Sequence, residues 1–588
     1  MNVLGITLGH DSSVALIVDG TVIGIMEAER YFRQKRYKLH CLTLEPGRHE
    51  SGFQYVDVDD FSRFLELVSK TWGYTFDVIA VQNQGRKDEY NNALTLLKQN
   101  GFTFSKTFHV DHHLSHAALA YYSSPYADSV IFSYDGMGND GQTVLFHGTD
   151  GVLTYIEKSP VRFGQSYNNL GYILAIEPDV AGSTAGKTMG LSAYGHVRPE
   201  WIASARRYVR EYVKRPAFKV TGLRNYGKGH RINSVGLEDL EELRPFRKPT
   251  KQDSNNSVRQ TIENIFGPTQ YELRLPGPEH ELSQDLAQTV QHAWTEEVIT
   301  LLANHRGISP NLCVVGGCAL NGITNYRIEK KGLFQQCHFV PNSTDCGLSA
   351  GAALYAYFQS DVKKFTGAKQ FFLPYLGTDA FDLSNLPTLK QSYPHHELPS
   401  NDIPRVIARL IYANKLVGVI RGRYEIGPRA LGHRSILCNP LHSGMKTLLN
   451  DKVKHREWYR PFAPVVTAED AFRYFTTDVD IPYMSVICHT RPEYREQLPS
   501  ITHVDGSARV QTIRENHNPW LHRTLKEFEQ LSGMPILLNT SFNPGGEPIL
   551  NFCEVGLEML TSTELDLVLI DNTLFCKPGH ESAIRHVI

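Results

Sequence analysis

The stretch Asn2-Val-Leu-Gly-Ile-Thr-Leu-Gly-His-Asp-Ser-Ser-Val-Ala-Leu-Ile-Val-Asp-Gly-Thr-Val-Ile-Gly-Ile-Met-Glu27 decides the fold. Residues 3–8, mostly apolar and of strand length, read as a buried strand. The polar Gly9-His-Asp-Ser-Ser13 then predicts a tight loop. Residues 14–18 and 21–27 flank Asp19-Gly20, a dipeptide that favours a type I′ hairpin turn. The order is strand, glycine loop, strand, Asp-Gly turn, strand. It recurs further on: residues 129–134, the loop Asp135-Gly-Met-Gly-Asn-Asp-Gly141, residues 143–147, Asp150-Gly151 and residues 152–157. The repeat predicts a duplicated α/β domain with mixed sheets.

Between the two units, residues 60–72 and 89–101 read as helices, with Gly101 as a stop. Just before the second unit stands Val110-Asp-His-His-Leu-Ser-His-Ala-Ala-Leu-Ala-Tyr-Tyr122. Asp111 is placed to cap a helix, and Leu114, Ala117, Leu119 and Ala120 supply its buried side. His112 and His116, four apart, lie on one face while His113 points elsewhere. Such a pair is either half of a metal site or two helical histidines without a ligand.

Composition bounds the remaining choices. The 588 residues suffice for two to four domains, and a net charge of −2 gives no strong field towards nucleic acid or membrane. The nine cysteines are irregularly spaced without a CxxC pair, which fits reduced thiols in a cytoplasmic protein. No apolar run reaches bilayer length, and the N-terminus has no signal-peptide pattern.

After the second unit, residues 181–195 are rich in glycine and carry Lys187, which fits either a loop closing on an anion or a plain surface loop. It is not a Walker A loop, because Ala181 stands where the first glycine is needed. Residues 201–214 read as a helix, and 215–256 as an irregular basic insertion. A long helix runs through Leu282, Leu286, Val290, Trp294, Val298 and Leu302 to Gly307. The strand 312–315 opens into Gly316-Gly-Cys-Ala-Leu-Asn321, whose amides could meet phosphate or ribose, as many α/β turns could without doing so. Asp345 stands where the strand 338–340 gives way to a small-residue helix at 348–358. Residues 359–378 have linker composition, and a second domain begins near Ala380 with a helix at 406–414 and a strand at 416–420. In that domain Arg429, Arg434, Lys454, Arg456, Arg460 and Arg509 lie in stretches broken by Gly, Pro or strand ends. Cations so placed fit an anion pocket better than a solvated helix face.

The motifs GHDSS, EAERYFRQKR, DHHLSHAA, DGMGNDG, GKTMGLSAYG, GGCALN, NSTDCG, GPRALGHRS, KHREWYRPFAP, HVDGSARVQT and NTSFNPGGEP run through nearly the whole chain. Together they resemble the O-carbamoyltransferases that act on antibiotics and Nod factors. The resemblance implies an actin-like, threonylcarbamoyl-transferase-like domain over 1–360, a linker over 361–379 and a YrdC-like α/β domain over 380–588. It implies His112, His116, Asp135 and Asp345 as ligands of a divalent metal, Fe²⁺ before Zn²⁺. It implies ATP, with Mg²⁺ as its counterion, and carbamoyl phosphate as substrates that form carbamoyl adenylate in the second domain. Arg429, Arg434, Lys454, Arg456, Arg460 and Arg509 would hold them, and Asn539, Ser541 and Asn543 would bond the nucleotide. In the first domain Lys187, Gly316, Gly317 and Asn321 would lie beside the adenylate. His10 would be the base, as an imidazole titrating near neutrality, with Asp11 beside it. The acceptor would be a hydroxyl of a small molecule, such as a secondary metabolite in antibiotic biosynthesis, with no nucleic acid or membrane partner and with a homodimer open. The family pattern often has Pro where Ala193 stands and a hydrophobe where Cys318 stands, and residues 37–51 and 224–251 match nothing in it. Rival readings are an actin-like metabolite kinase, a non-catalytic nucleotide-binding regulator and a threonylcarbamoyl-type transferase.

Overall fold

The structure is a computed structural model describing residues 1–39, 58–83, 87–136, 138, 141–179, 182–212, 237, 240–249, 271–360, 365–368 and 371–581. Ala181, residues 40–51 and most of the basic stretch 215–256 lie outside the described residues. Two compact units are present, one built from the described residues up to 158 and from 305 onwards, the other from those within 159–304.

The opening stretch folds as its punctuation demands. β1 (Asn2–Thr7), β2 (Ser13–Val18) and β3 (Thr21–Glu27) form an antiparallel meander. Its turn carries Asp19 at φ +48° and Gly20 at φ +80°, the left-handed pair that a type I′ hairpin requires. β4 (Val78–Gln82) and β5 (Lys106–Val110) add in parallel on the other side of β1. β6 (Asp128–Tyr134), β7 (Thr143–Thr149) and β8 (Val152–Lys158) repeat the meander, with Asp150 and Gly151 at φ +50° and +84°. The chain then passes through the second unit, which holds β9 (Arg247–Pro249) and β10 (Tyr271–Leu273). It returns with β11 (Asn311–Val315) and β12 (Gln336–Phe339), which add in parallel beside β6. The orders β3-β2-β1-β4-β5 and β8-β7-β6-β11-β12 are the same topology. Even the break in register between the second and third strands recurs, at Leu16/Ile17 and at Leu145/Phe146. The duplication expected from the sequence is present.

Each sheet is followed by a helix. The histidine helix His112–Ser123 comes after β5, and the small-residue helix Leu348–Ser360 after β12. The two pack so closely that a Cβ on Gly351 would stand 1.9 Å from the Ser115 carbonyl oxygen. The other side of the small-residue helix lies on β1, where a Cβ on Gly5 would stand 1.9 Å from the Ser349 oxygen. Ser349, Ala350, Gly351, Ala352 and Ala353 are all buried, so the small side chains serve the approach of backbones. Asp111 occupies the N-cap position but makes no capping bond with its side chain. Its carbonyl oxygen instead accepts from the Ser115 amide at 2.9 Å and the Ser115 hydroxyl at 2.8 Å.

In the second unit residues 185–192 are a helix, not the loop that their glycines suggest. Tertiary packing accounts for this: a Cβ on Gly195 would stand 2.0 Å from the Gln284 oxygen of the long helix Glu281–Ala303, and one on Gly171 would stand 2.2 Å from Thr184 Oγ1. Lys187 lies on this short helix.

The C-terminal part is one eight-stranded sheet. Its strands are β13 (His395–Glu397), β14 (Val417–Ile420), β15 (Arg434–Cys438), β16 (Ala463–Thr467), β19 (Gln511–Ile513), β20 (Ile536–Ser541), β21 (Leu567–Ile570) and β22 (Thr573–Cys576). They lie in the order β13-β22-β21-β14-β15-β20-β16-β19, and β17 (Cys488–His489) pairs separately with β18 (Ser507–Ala508). The helix Ile403–Tyr412 buries Ile403, Val406, Ile407, Leu410 and Ile411, one helical face, in the core beside this sheet. Among the described residues no helix is long and apolar enough to cross a membrane.

The close helix crossing makes a direct prediction. Gly351→Ala should lower stability by about 1–3 kcal/mol, the usual penalty for overpacking. Chemical denaturation measures it, and an unchanged midpoint would contradict the crossing.

Candidate functional site

The two N-terminal ends of these helices meet. His112 and His116 sit in the first turns of the histidine helix, and Asp345 opens the 3₁₀ turn Asp345–Gly347 that leads into the small-residue helix. Asp135 follows β6 directly. His112 Nε2 lies 3.2 Å from Asp135 Oδ2 and 3.8 Å from Asp345 Oδ1, and His116 Nε2 lies 3.5 Å from the same Asp345 oxygen. One donor atom from each of the four lies within 4.8 Å of all the others, and all four residues are buried. His113, as expected, faces away, with Nδ1 at 2.7 Å from Ser133 Oγ.

The surroundings hold this arrangement. The Gly317 amide donates to Asp135 Oδ1 at 2.8 Å, and the Gly316 amide to the Ser343 carbonyl at 3.0 Å. Both amides expected to meet phosphate thus have protein acceptors, and one of them orients a carboxylate of the cluster. Asn321, expected near a nucleotide, caps the helix Gly322–Lys331 by accepting from the Thr324 amide at 3.1 Å. Gly138 lies against the rings: a Cβ there would be 2.8 Å from His113 and 2.9 Å from His112. Sequence reading gave Gly138 no role, although its loop motif contained the signal.

His10 and Asp11 occupy the loop after β1. Ser13 Oγ ties that loop to the Asp345 turn, donating to the Cys346 carbonyl at 2.8 Å and lying 2.7 Å from Ser349 Oγ. His10 Nδ1 is therefore 3.4 Å from Asp345 Oδ2 and 2.9 Å from Asp11 Oδ2. Asp345 faces the two helical imidazoles with one oxygen and His10 with the other.

The electrostatics follow from burial among opposite charges. Burial alone would push the Asp135 carboxyl up, but the bond and charge of His112, with His116 and His113, hold it well below its ordinary value. Burial likewise pushes Asp345 up, and His112, His10 and His116 bring it below its ordinary value against the repulsion of Asp135. His10 is not the unperturbed imidazole expected. The facing Asp345 raises it, burial opposes the rise, and Asp11 adds to it, bringing it to about 9.

The donor set fits a divalent cation. Both ring nitrogens of His116 are buried without a hydrogen-bond partner among the described residues, a costly state for a polar group unless a ligand takes it up. Two imidazoles with two carboxylates suit a borderline ion such as Fe²⁺ or Zn²⁺.

A second cluster gathers in the loops around the neighbouring strands β15, β20, β16 and β19. Burial lowers Arg429 to about 10, with the charge of Arg460 adding to it. Burial also lowers Arg509, with Arg429, Arg460 and Arg456 pressing on it, and lowers Arg456, with Arg460 pressing on it. The Nε atoms of Arg429 and Arg509 are buried without a hydrogen-bond partner among the described residues. Arg456 is held by Asn450 Oδ1 at 2.7 Å and lies over Phe462 at 4.2 Å; sequence reading missed both supports. Lys454 ends a π-helical turn, Leu449–Lys454, and its Nζ lies 2.8 Å from the Ser541 carbonyl and 2.7 Å from Asn543 Oδ1. Asn539 donates to Gln511 Oε1 at 2.7 Å and to the Ala430 carbonyl at 3.1 Å, next to Arg429.

Arg434 is a correction. It is fully buried, and its guanidinium donates to Asn551 Oδ1 from Nε and Nη2, to the Arg421 and His433 carbonyls from Nη1, and to the Gly422 carbonyl from Nη2. Those five bonds use every donor that an arginine has, so Arg434 ties the sheet and holds no substrate. Lys187 belongs to the second compact unit, whereas both clusters belong to the first.

Two family models cover the chain: "Carbamoyltransferase N-terminus" matches residues 2–354, and "Carbamoyltransferase C-terminus" matches residues 408–577. The chain is 29% identical to an uncharacterised protein of Synechocystis sp., covering 98% of this chain and 97% of that one. It is also 29% identical to nodulation protein NolNO of Sinorhizobium fredii over 97% of this chain and 79% of that one, and 28% identical to nodulation protein U of Rhizobium tropici over 93% and 91%. Full-length HypF in its phosphate- and nucleotide-bound form aligns over 60% of this chain and 55% of its own at 13% identity, with a TM-score of 0.29 that carries no inference.

Two outcomes are expected. His116→Ala should lower the content of tightly bound divalent metal, measured by plasma emission, by at least about tenfold, in line with the loss of a ligand. In ion-free protein, the His10 pKa lies above its ordinary 6.5, so its contribution to stability is full below about 6.5 and is lost as pH rises through about 9. Thermal melts should show that loss, and His10→Asn should lack it.

Proposed function

The chain belongs to the carbamoyltransferase family, and from that premise we propose an ATP-dependent O-carbamoyltransferase working through carbamoyl adenylate. The observation that carries this reading is the pairing of two clusters of opposite character. One gathers four groups able to ligate a metal, among them an imidazole whose buried nitrogens make no hydrogen bond among the described residues; the other gathers four mutually repelling arginines and a buried lysine.

In this proposal residues 380–588, the YrdC-like part, make the adenylate. Carbamoyl phosphate gives up its phosphoryl group to water as phosphate. The carbamate oxygen then attacks the α-phosphorus of ATP, and pyrophosphate leaves. Arg429, Arg456, Arg460 and Arg509 supply the positive charge that these phosphate groups need, fixed in place before they bind. Lys454, Ser541 and Asn543 already form one bonded set and line the nucleotide side. Asn539 steadies the backbone beside Arg429.

Residues 1–360, the actin-like part, transfer the carbamoyl group to a hydroxyl of a small-molecule acceptor, and AMP leaves. His112, His116, Asp135 and Asp345 would hold a divalent ion, which would supply Lewis-acid polarisation of the carbamoyl group there. His10 lies beside these residues and receives the proton of the acceptor hydroxyl. Its raised pKa stems first from the Asp345 charge. A cation held by Asp345 would offset that charge, which is the condition under which His10 would serve as a base. Asp11 orients it from 2.9 Å.

Product analysis separates the readings. Carbamoyl phosphate with ATP should give AMP and pyrophosphate; ADP would select an actin-like kinase instead. Arg460→Ala should slow adenylate formation by about a hundredfold, the scale for losing one charge-stabilising donor, with metal content unchanged. His10→Asn should leave pyrophosphate exchange intact while slowing transfer by about a hundredfold or more, read as carbamoyl mass gain on the acceptor.

A further inference from the structure

The motif EAERYFRQKR, residues 27–36, has no part in the chemistry above. Its first four residues end β3 and enter the short helix Ala28–Phe32. Glu27 and Arg30 form an ion pair with side chains only 2% and 0% exposed. Both reach into the C-terminal half of the chain. Glu27 Oε1 accepts from the Gly427 amide at 2.7 Å. Arg30 Nη2 donates to the Gly427 carbonyl at 2.9 Å and to the Glu425 carbonyl at 2.8 Å. The guanidinium lies over the Tyr424 ring at 4.5 Å, and the Tyr424 hydroxyl accepts from the Glu27 amide at 2.9 Å.

Gly427 is thus held by both its N–H and its C=O. It has φ +89°, and a Cβ on it would stand 2.4 Å from the Pro341 oxygen and 3.0 Å from the Asn342 Cα. Pro341 and Asn342 lead directly into Asp345. On its other side Gly427 leads in two residues to Arg429. Beyond Arg429 the chain is caught again, because Glu425 Oε1 accepts from the Leu431 amide at 2.6 Å. Arg429 is the apex of a loop fixed at both feet.

We infer that Glu27 and Arg30 are positioning residues that hold Arg429 in the anion cluster and set that cluster against the Asp345 loop, touching no ligand themselves. Replacing a buried ion pair with apolar residues is often neutral or stabilising, so net stability is a weak reason for this one. Geometry is a better reason. One guanidinium bonds Glu27, Glu425 and Gly427 at fixed angles, which an ammonium on a flexible stem does not reproduce.

The inference rests on the reading of the arginine cluster as an anion site, and its test separates the two. The probe is inorganic pyrophosphate, titrated calorimetrically into the full-length protein. Arg429→Ala and Arg30→Lys should each weaken binding by about tenfold, the scale for one charge-assisted hydrogen bond. The double variant R30K/R429A should bind no more weakly than R429A alone, because Arg30 acts through Arg429. Arg30→Lys binding like wild type, or losses that multiply in the double variant, would overturn the positioning role while leaving the anion site intact. Wild-type affinity in Arg429→Ala would overturn the anion site, and the inference with it. If Arg30→Lys does not fold, E27Q/R30M, which removes both charges, takes its place in the same comparison. Failure of both to fold would assign the pair to stability alone.

Discussion

Backbone contact between two helices fixes the candidate metal site. The helices His112–Ser123 and Leu348–Ser360 approach so closely that Gly351 has no room for a Cβ against Ser115. Gly5 imposes the same intimacy between the small-residue helix and β1. Interiors this dense do not deform smoothly, so the ends of these elements are located with little freedom. His112, His116, Asp345 and the His10 loop all hang from those ends. The duplicated topology brings them together, since each helix follows the last strand of its own repeat.

Much of this was legible in the sequence. The repeat showed because an Asp-Gly turn demands positive φ, a constraint written in two adjacent residues. The histidine pair showed because helical spacing is local. Other features depend on distant partners. Nothing near Gly351 announces Ser115, and nothing near Asp345 announces the two imidazoles; that link came from family resemblance. The glycines of residues 182–195 suggested a loop, yet Thr184 and Gln284 pack them into a helix bundle. Arg434 and Arg429 look alike in the chain. Only the fold shows that acceptors at residues 421, 422, 433 and 551 saturate Arg434, whereas Arg429 and Arg509 keep buried Nε groups without acceptors among the described residues.

The two clusters carry opposite electrostatic burdens. In the first, each buried carboxylate is held ionised by three of four surrounding imidazoles, His112 and His116 with His113 for Asp135 and with His10 for Asp345. In the second, arginines and a lysine depress one another where burial already opposes their charge. The second arrangement is unfavourable alone and would be relieved by an anion, whereas in the first it is the two unbonded ring nitrogens of His116 that a cation would relieve. Such perturbed groups concentrate at functional sites for this reason. The 425–434 loop, clamped by Glu27 and Arg30 and seated on Pro341, joins one cluster to the other.

Anomalous diffraction from crystals of the metal-loaded protein tests the central claim most directly. The account predicts one peak bonded to His112, His116, Asp135 and Asp345, with metal–ligand distances of about 2.0–2.2 Å. A strong peak elsewhere, with these four residues left as neighbours of one another, would contradict it.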